Sequence, residues 1–134
     1  MKRILILALA MAVPAMAHHG FFGFVDLTNP IAFKGTVTRL EWSNPHVEFF
    51  VDVKDAAGKV TNWKFEAASP VALKNRGWAR TDLKVGEPVT IVGYRAKDGS
   101  SVAAAGSVTF PDGRTLDAAS DGVPVMKSKV APST

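Results

Sequence analysis

The histidines of this chain are few, and their spacing could build a metal site. The sequence contains three of them, His18, His19 and His46. Imidazole is the side chain that most often binds transition metals, and a nitrogen-rich donor set favours Cu(II) over Zn(II). The histidines therefore predict a site for a copper-type metal ion, and Cu(II) is the only cofactor that the sequence suggests. In the alternative interpretation, the first two are exposed to solvent and His46 only completes a turn.

The amino-terminal segment has the pattern of a secretory signal. Two basic residues precede ten apolar residues, Ile4–Val13, and Ala15-Met16-Ala17 fits a small-x-small cleavage site. The apolar run is too short to span a bilayer, and we expect no membrane span in the mature chain. We predict a signal peptide at residues 1–17, secretion across the inner membrane and a periplasmic location.

The cleavage position decides what the first histidine can offer to a metal. Cleavage after Ala17 would let His18 bind one ion through both its α-amine and its ring. Cleavage after Ala15 would instead leave Met16-Ala17-His18, whose amine, amides and ring suit a square-planar copper or nickel chelate. Both alternatives keep His18 as a metal ligand.

Three carboxylates stand near the predicted histidine site in sequence or in strand order. A carboxylate that hydrogen-bonds to a metal-bound imidazole commonly orients the ring. The candidates for this role are Glu41, Glu48 and Glu66. The competing interpretation is that they are ordinary solvated charges on the outward faces of strands.

A second function is suggested by side chains that could form a ligand-binding face. In this alternative the protein is a periplasmic adaptor that binds a protein or a small ligand without a metal. The residues proposed for the face are Trp42, Asn44, Phe50 and Tyr94.

Composition narrows the functional classes further. The chain has no cysteine, which excludes disulfides and thiolate metal sites. Its net charge of +4 falls to +2 without the two basic residues of the signal, and the basic residues are scattered, which disfavours nucleic acid as a partner. No motif for nucleophilic catalysis or phosphate binding occurs. We therefore predict a non-catalytic binding module with no catalytic residues.

The elements that would position these residues follow a strand-rich pattern. The predicted fold is all-β with one short helix, as a five-stranded OB-like Greek-key barrel; the alternative is a small open β-sandwich. The strand pattern slips by one residue between Val37 and Leu40, which predicts a bulge. The strands are predicted at Phe33–Trp42, Val47–Lys54, Thr61–Ala67, Val89–Ala96, Val102–Phe110 and, in short form, Thr115–Asp117, with a helix opened by Ser69-Pro70. The domain limits are 1–17 for the signal, 18–32 for an N-terminal arm that includes a turn at Asp26–Pro30, 33–117 for the barrel and 118–134 for a flexible tail.

The sequence also resembles a known family across most of its length. The matching segments share aromatic, glycine and proline positions, and they are His18-His19, Gly35-Thr36-Val37, Glu41-Trp42-Ser43-Asn44-Pro45-His46, Asn62-Trp63-Lys64-Phe65-Glu66, Ser69-Pro70, Arg76-Gly77-Trp78 and Gly93-Tyr94-Arg95-Ala96-Lys97-Asp98-Gly99. The chain resembles the small exported bacterial proteins grouped as domain of unknown function 6152, over roughly His18 to Leu116. It departs from them at Gly20, where relatives usually carry serine. The resemblance implies no established activity.

Overall fold

Six strands and one short helix form the part of the chain that the structure, a computed structural model, describes: residues 23–125. The elements are β1 (Val25–Glu41), β2 (Glu48–Lys54), β3 (Val60–Glu66), α1 (Pro70–Asn75), β4 (Pro88–Ala96), β5 (Val102–Thr109) and β6 (Thr115–Asp117).

The strands form a ring in which β1 is the shared spine. The order is β3-β2-β1-β4-β5-β6, with antiparallel neighbours throughout, and a further parallel pairing joins β3 to β5. Only three residue pairs make this closing contact, namely Lys64 with Val102, Phe65 with Ala103 and Glu66 with Ala104. The predicted all-β class with one short helix is confirmed. The ring is partly open, and it agrees with the OB-like barrel as well as with an open sandwich.

Strand β1 contains two irregularities, and the sequence predicted one of them as a bulge and the other as a turn. The register against β2 shifts between Val37 and Arg39, which confirms the predicted bulge. The register against β4 shifts between Val25 and Pro30. The predicted turn at Asp26–Pro30 corresponds to this irregularity, where five positions of β1 lie opposite two of β4, but the chain remains within β1. Pairing of Val25 with Ala96 keeps this segment in β1, although the Asp26 side chain makes a local bond to the backbone N–H of its neighbour at position 28. The predicted arm therefore contributes residues 25–32 to the sheet.

The interior of the ring is filled by aromatic and branched side chains from all five long strands. Phe65 contacts two other rings, with centroid distances of 5.3 Å to Phe49 and 5.1 Å to Phe33. Helix α1 begins as predicted, since the Ser69 side chain accepts a hydrogen bond from the Ala72 N–H and proline occupies the first helical position. The buried interior residues include Phe33, Val37, Val47, Phe49, Val51, Phe65, Leu73, Ile91, Ala103, Ala105 and Val108.

A smaller apolar cluster lies apart from the main core, and it includes residues that were predicted to belong to a flexible tail. It consists of Val25, Tyr94, Ala104, Ala119 and Val123. Residues after β6 were expected to be loose, yet Ala119 is buried. The Ala119 carbonyl oxygen accepts a 2.6 Å hydrogen bond from the guanidinium of Arg76, on the turn after α1. The remainder of the predicted tail, residues 126–134, lies outside the described residues.

Candidate functional site

His46 lies at one end of the ring, where the loop after β1 enters β2. The backbone on either side is fixed, because the Val47 N–H donates to the Ala68 carbonyl oxygen and the Ala67 N–H donates to that of Val47. The imidazole is 39% exposed, and its Nδ1 lies 3.0 Å from the Ala67 carbonyl oxygen. A carbonyl oxygen can only accept, so Nδ1 carries the proton in this contact. Nε2 of the neutral ring is then the nitrogen with a free lone pair.

A carboxylate faces that free nitrogen. Oε1 of Glu66, the last residue of β3, lies 3.6 Å from His46 Nε2. Burial raises the pKa of the Glu66 carboxyl, while the neighbouring His46 acts in the opposite direction. The Ala67 carbonyl oxygen thus orients the ring, as the partner of a metal-binding imidazole commonly does, and Glu66 lies on the side of the nitrogen that could bind a metal.

The other two predicted carboxylates lie in the same row but have different partners. Glu41, Glu48 and Glu66 are directly opposite one another on three adjacent strands. The row therefore brings all three together, as side chains opposite each other share one face of a sheet. Glu48 pairs with the Lys64 ammonium at 2.8 Å, and Glu41 pairs with Arg39. Glu66 is the member of the row that meets His46.

The described residues alone do not complete a metal centre. Between residues 23 and 125 there is no group of three or more histidine, cysteine, aspartate or glutamate side chains arranged to hold a metal ion. His18 and His19 lie outside the described residues. The ring thus presents two donor groups, the imidazole of His46 and the carboxylate of Glu66.

The N-terminal segment enters the ring beside the β4–β5 hairpin, where Val25 pairs with Ala96 and the Phe24 carbonyl oxygen accepts a hydrogen bond from the Lys97 N–H. Val25 belongs to the smaller apolar cluster together with Ala104. Ala104 on β5 is the register partner of Glu66 on β3, and neighbouring strands are roughly 4.8 Å apart. Three strand spacings, through β4 and β5, therefore separate Val25 from the strand that carries Glu66.

The residues predicted to form a ligand-binding face are dispersed. The prediction that Tyr94 lies on an exposed face was wrong. The residue is only 1% exposed, and its hydroxyl donates to the Pro124 carbonyl oxygen at 3.2 Å. Segment 118–125 provides this cover. Phe50 does lie on the outside of β2, with the Arg39 guanidinium 5.1 Å from its ring centroid. Asn44 is exposed in the loop before His46.

Trp42, the remaining predicted face residue, lines a groove beside α1. The groove has a volume of about 410 Å³, and Val71 and Trp78 contribute further apolar surface. Lys74 and Arg80 flank it, and neither makes an ion pair with any residue in the described range. This groove was not predictable from the sequence, because α1 has only six residues, too few to show an amphipathic period.

Ser120 is a contact that sequence reasoning missed. Its hydroxyl donates to the Ala67 carbonyl oxygen at 3.0 Å and lies 3.4 Å from His46 Nδ1. The residue was assigned to a loose tail, whereas it is buried. The run of small residues Ala118-Ala119-Ser120 was the available signal, since small side chains permit close packing against another backbone.

Taken together, fold and site define a small β-ring domain with a histidine–carboxylate pair at one end. Residues 6–105 match the family of unknown function DUF6152. The chain belongs to this family, and the resemblance noted in the sequence is confirmed. Comparison with curated proteins and with solved structures finds no similar protein. No helix between residues 23 and 125 is long and apolar enough to cross a membrane.

Proposed function

We propose that this protein is an exported, non-catalytic binding module that holds a copper-type metal ion between the ring and the N-terminal segment. In this proposal His46 is the ligand presented by the ring, and His18 and His19 supply the remaining imidazoles. The periplasm is the proposed compartment. The observation that supports it most is the orientation of His46, whose Nδ1 is bonded to the Ala67 carbonyl oxygen while Nε2 faces Glu66.

The tautomer is what makes this orientation relevant to a metal. A ligating histidine almost always donates its second ring N–H to a carbonyl or a carboxylate, which fixes the ring and increases the basicity of the ligating nitrogen. His46 makes this bond to the Ala67 carbonyl oxygen, which is itself held in the sheet end by its neighbours. Little conformational entropy would then be lost at His46 when an ion binds Nε2.

Glu66 adds negative charge where a cation would lie. Its Oε1 is 3.6 Å from Nε2, so the carboxylate could bind the ion directly or hold a water bound to it. The side chain is only 14% exposed, and charges interact more strongly where water is partly excluded. We therefore expect Glu66 to strengthen metal binding, whereas Glu48 is compensated by Lys64.

Chain length permits the N-terminal histidines to reach the same place. His18 precedes Val25 by seven positions, and seven extended residues span roughly 23 Å. Val25 belongs to the cluster of Ala104, the register partner of Glu66. Three strand spacings, roughly 14 Å, lead from Val25 through β4 and β5 to the strand of Glu66, and this is shorter than the extended segment.

The test is a Cu(II) titration of the processed full-length protein against a competing chelator at constant pH. We expect Glu66→Gln to weaken binding roughly ten- to a hundredfold, the usual effect of removing a carboxylate that supports a metal ligand. His46→Ala should weaken binding more than Glu66→Gln, and so should deletion of His18 and His19. Glu48→Gln is the matched control, because it removes a neighbouring carboxylate of the same row that is already paired.

Two results would contradict the proposal. Equal Cu(II) affinity of His46→Ala and wild type would assign any binding to the N-terminal peptide alone. Equal losses in Glu66→Gln and Glu48→Gln would mean that the row acts only through its total charge. Circular dichroism of each variant separates these outcomes from loss of the fold.

A second candidate function, a periplasmic adaptor, is favoured by the groove beside Trp42. The Val71 side chain is 65% exposed at the edge of the groove. Lys74 and Arg80, which form no ion pair within the described part of the chain, give the groove a positive border. This chemistry suits a protein segment that carries apolar and acidic side chains. Binding of a Leu- and Glu-containing peptide should be lost in Val71→Asp and retained in His46→Ala; retention in Val71→Asp would refute the adaptor.

A further inference from the structure

A separate cavity lies at the opposite end of β2 from His46. It opens between the β2–β3 and β4–β5 hairpins and has a volume of about 250 Å³. Val53, which lines the cavity, lies five positions along β2 from Glu48, and this distance is roughly 17 Å. The mouths of β-barrels are common locations for small-ligand sites. The cavity is therefore distinct from the proposed metal site.

Arg95 is a cation that lines this cavity, and it has no anionic partner among residues 23–125. Arg95 follows a shift in the register of β4 against β5, which occurs between Val92 and Gly93. Its guanidinium lies 5.6 Å from the Trp63 ring centroid and 5.8 Å from that of Phe33. Within residues 23–125 Arg95 makes no ion pair, and its buried Nε has no hydrogen-bond partner. Native structures rarely leave a buried donor unpaired without a functional reason.

The rings hold the guanidinium where a carboxylate ordinarily would. Phe33 and Trp63 are themselves in contact, with centroids 4.8 Å apart, so Arg95 rests on a rigid aromatic surface. Stacking on aromatic faces keeps the guanidinium plane fixed while its charge stays uncompensated. The arginine is thereby preorganised to receive an anion.

We propose that this cavity binds the carboxylate of a small, singly charged organic acid. The planar guanidinium matches a carboxylate through two parallel hydrogen bonds, and Trp63 provides an apolar wall for the rest of the ligand. Asp55 also lines the cavity, and its Oδ1 accepts hydrogen bonds from the backbone N–H groups of Ala57 and Lys59. Its negative charge disfavours phosphate and dicarboxylates, which carry a second charge.

The experiment uses the full-length protein with benzoate as the probe, measured by calorimetry and by the NMR signals of the Trp63 indole and the arginine Nε–H groups. Benzamide has the same shape without the charge and should not bind. Inorganic phosphate should bind more weakly than benzoate. Binding of benzamide as tight as that of benzoate, or preference for phosphate, would overturn the proposal.

Variants locate the site. Arg95→Met should weaken benzoate binding roughly ten- to a hundredfold, the range for losing a charged hydrogen-bond pair. Arg95→Lys keeps the charge but loses the planar fork, and its affinity should fall between the two. Arg80→Met is the matched control, since Arg80 is also unpaired among the described residues but flanks the groove beside Trp42. Asp55→Asn keeps an acceptor for the hairpin and should tighten phosphate binding.

Two outcomes would refute this assignment. One is benzoate binding to Arg95→Met and Arg95→Lys at wild-type affinity. The other is no benzoate binding to the wild-type protein. Because the wild-type comparison of benzoate with benzamide needs no substitution, the proposal stays testable even where Arg95→Met fails to fold.

Discussion

Replacing Phe49 and Phe50 separately by alanine tests the phase of β2 with two identical residues on one strand. Phe49 is fully buried and stacks on Phe65, with ring centroids 5.3 Å apart. Truncation of a buried phenylalanine costs about 3–5 kcal/mol, and the lost ring pair adds about 0.5–1.5 kcal/mol. We therefore expect Phe49→Ala to lower the free energy of unfolding by about 5 kcal/mol, the middle of the summed ranges. A domain of this size has roughly 5–15 kcal/mol in total.

Phe50 is the matched control, because it lies on the other face of the same strand. Its ring is partly exposed and is covered by the Arg39 guanidinium at 5.1 Å. A cation–π contact at such a position is worth about 0.5–1 kcal/mol, so Phe50→Ala should cost about 1 kcal/mol. Urea unfolding followed by tryptophan fluorescence measures both losses, with the slope against urea concentration unchanged if the denatured state is unaffected. Equal losses at the two positions would refute the strand phase.

Three further predictions test other parts of the fold. Burial raises the pKa of the Tyr94 phenol, and because this is the only tyrosine of the chain, tyrosinate absorbance should appear at higher pH in the folded protein than in urea. The neutral phenol is favoured in the folded state, so its contribution to stability is complete below about pH 10 and is lost as pH rises through the folded pKa. Gly35→Ala would place a Cβ against the Asp52 carbonyl oxygen, where there is no room for it. It should destabilise the fold more than Gly58→Ala. At Gly58 the space is open, and the cost is the backbone strain of a φ of +85°, about 1–2 kcal/mol. Truncation after Asp117 removes the cover of Tyr94 and should lower both its pKa and the melting temperature; an unchanged Tyr94 titration would refute the packing of segment 118–125.

Local periodicity was sufficient to predict much of the fold. Alternation from Val47 to Val53 identified the buried face of β2, and all four apolar positions of that series are buried. The phase slip between Val37 and Leu40 identified the β1 bulge. These features depend on which residues share a face of one strand, and the chain specifies that locally through its period of two.

Features that depend on contacts between distant segments were not predictable in this way. Tyr94 was placed on the surface because no local pattern announces that segment 118–125 covers it. The turn signals at Asp26–Pro30 were real, but pairing of Val25 with Ala96 kept the segment within β1. For the site, the sequence supplied His46 and Glu66 as candidates. Their meeting depends on the β2–β3 register, and the contact with Ser120 joins residues 74 positions apart.

The pairing between β3 and β5 that closes the ring consists of three residue pairs, so it is the shortest junction between long strands of the ring. Parallel pairs are slightly less stable than antiparallel ones, so amide hydrogens of this pairing should exchange with solvent before those of the longer β1–β4 pairing. Glu66 lies on β3, one strand of this pairing, and its partner Ala104 lies on β5, the other strand. A ligand bound by both Glu66 and the N-terminal segment would hold the two strands of this pairing together. Ligand binding should then slow amide hydrogen exchange throughout the domain, including at positions far from the ligand.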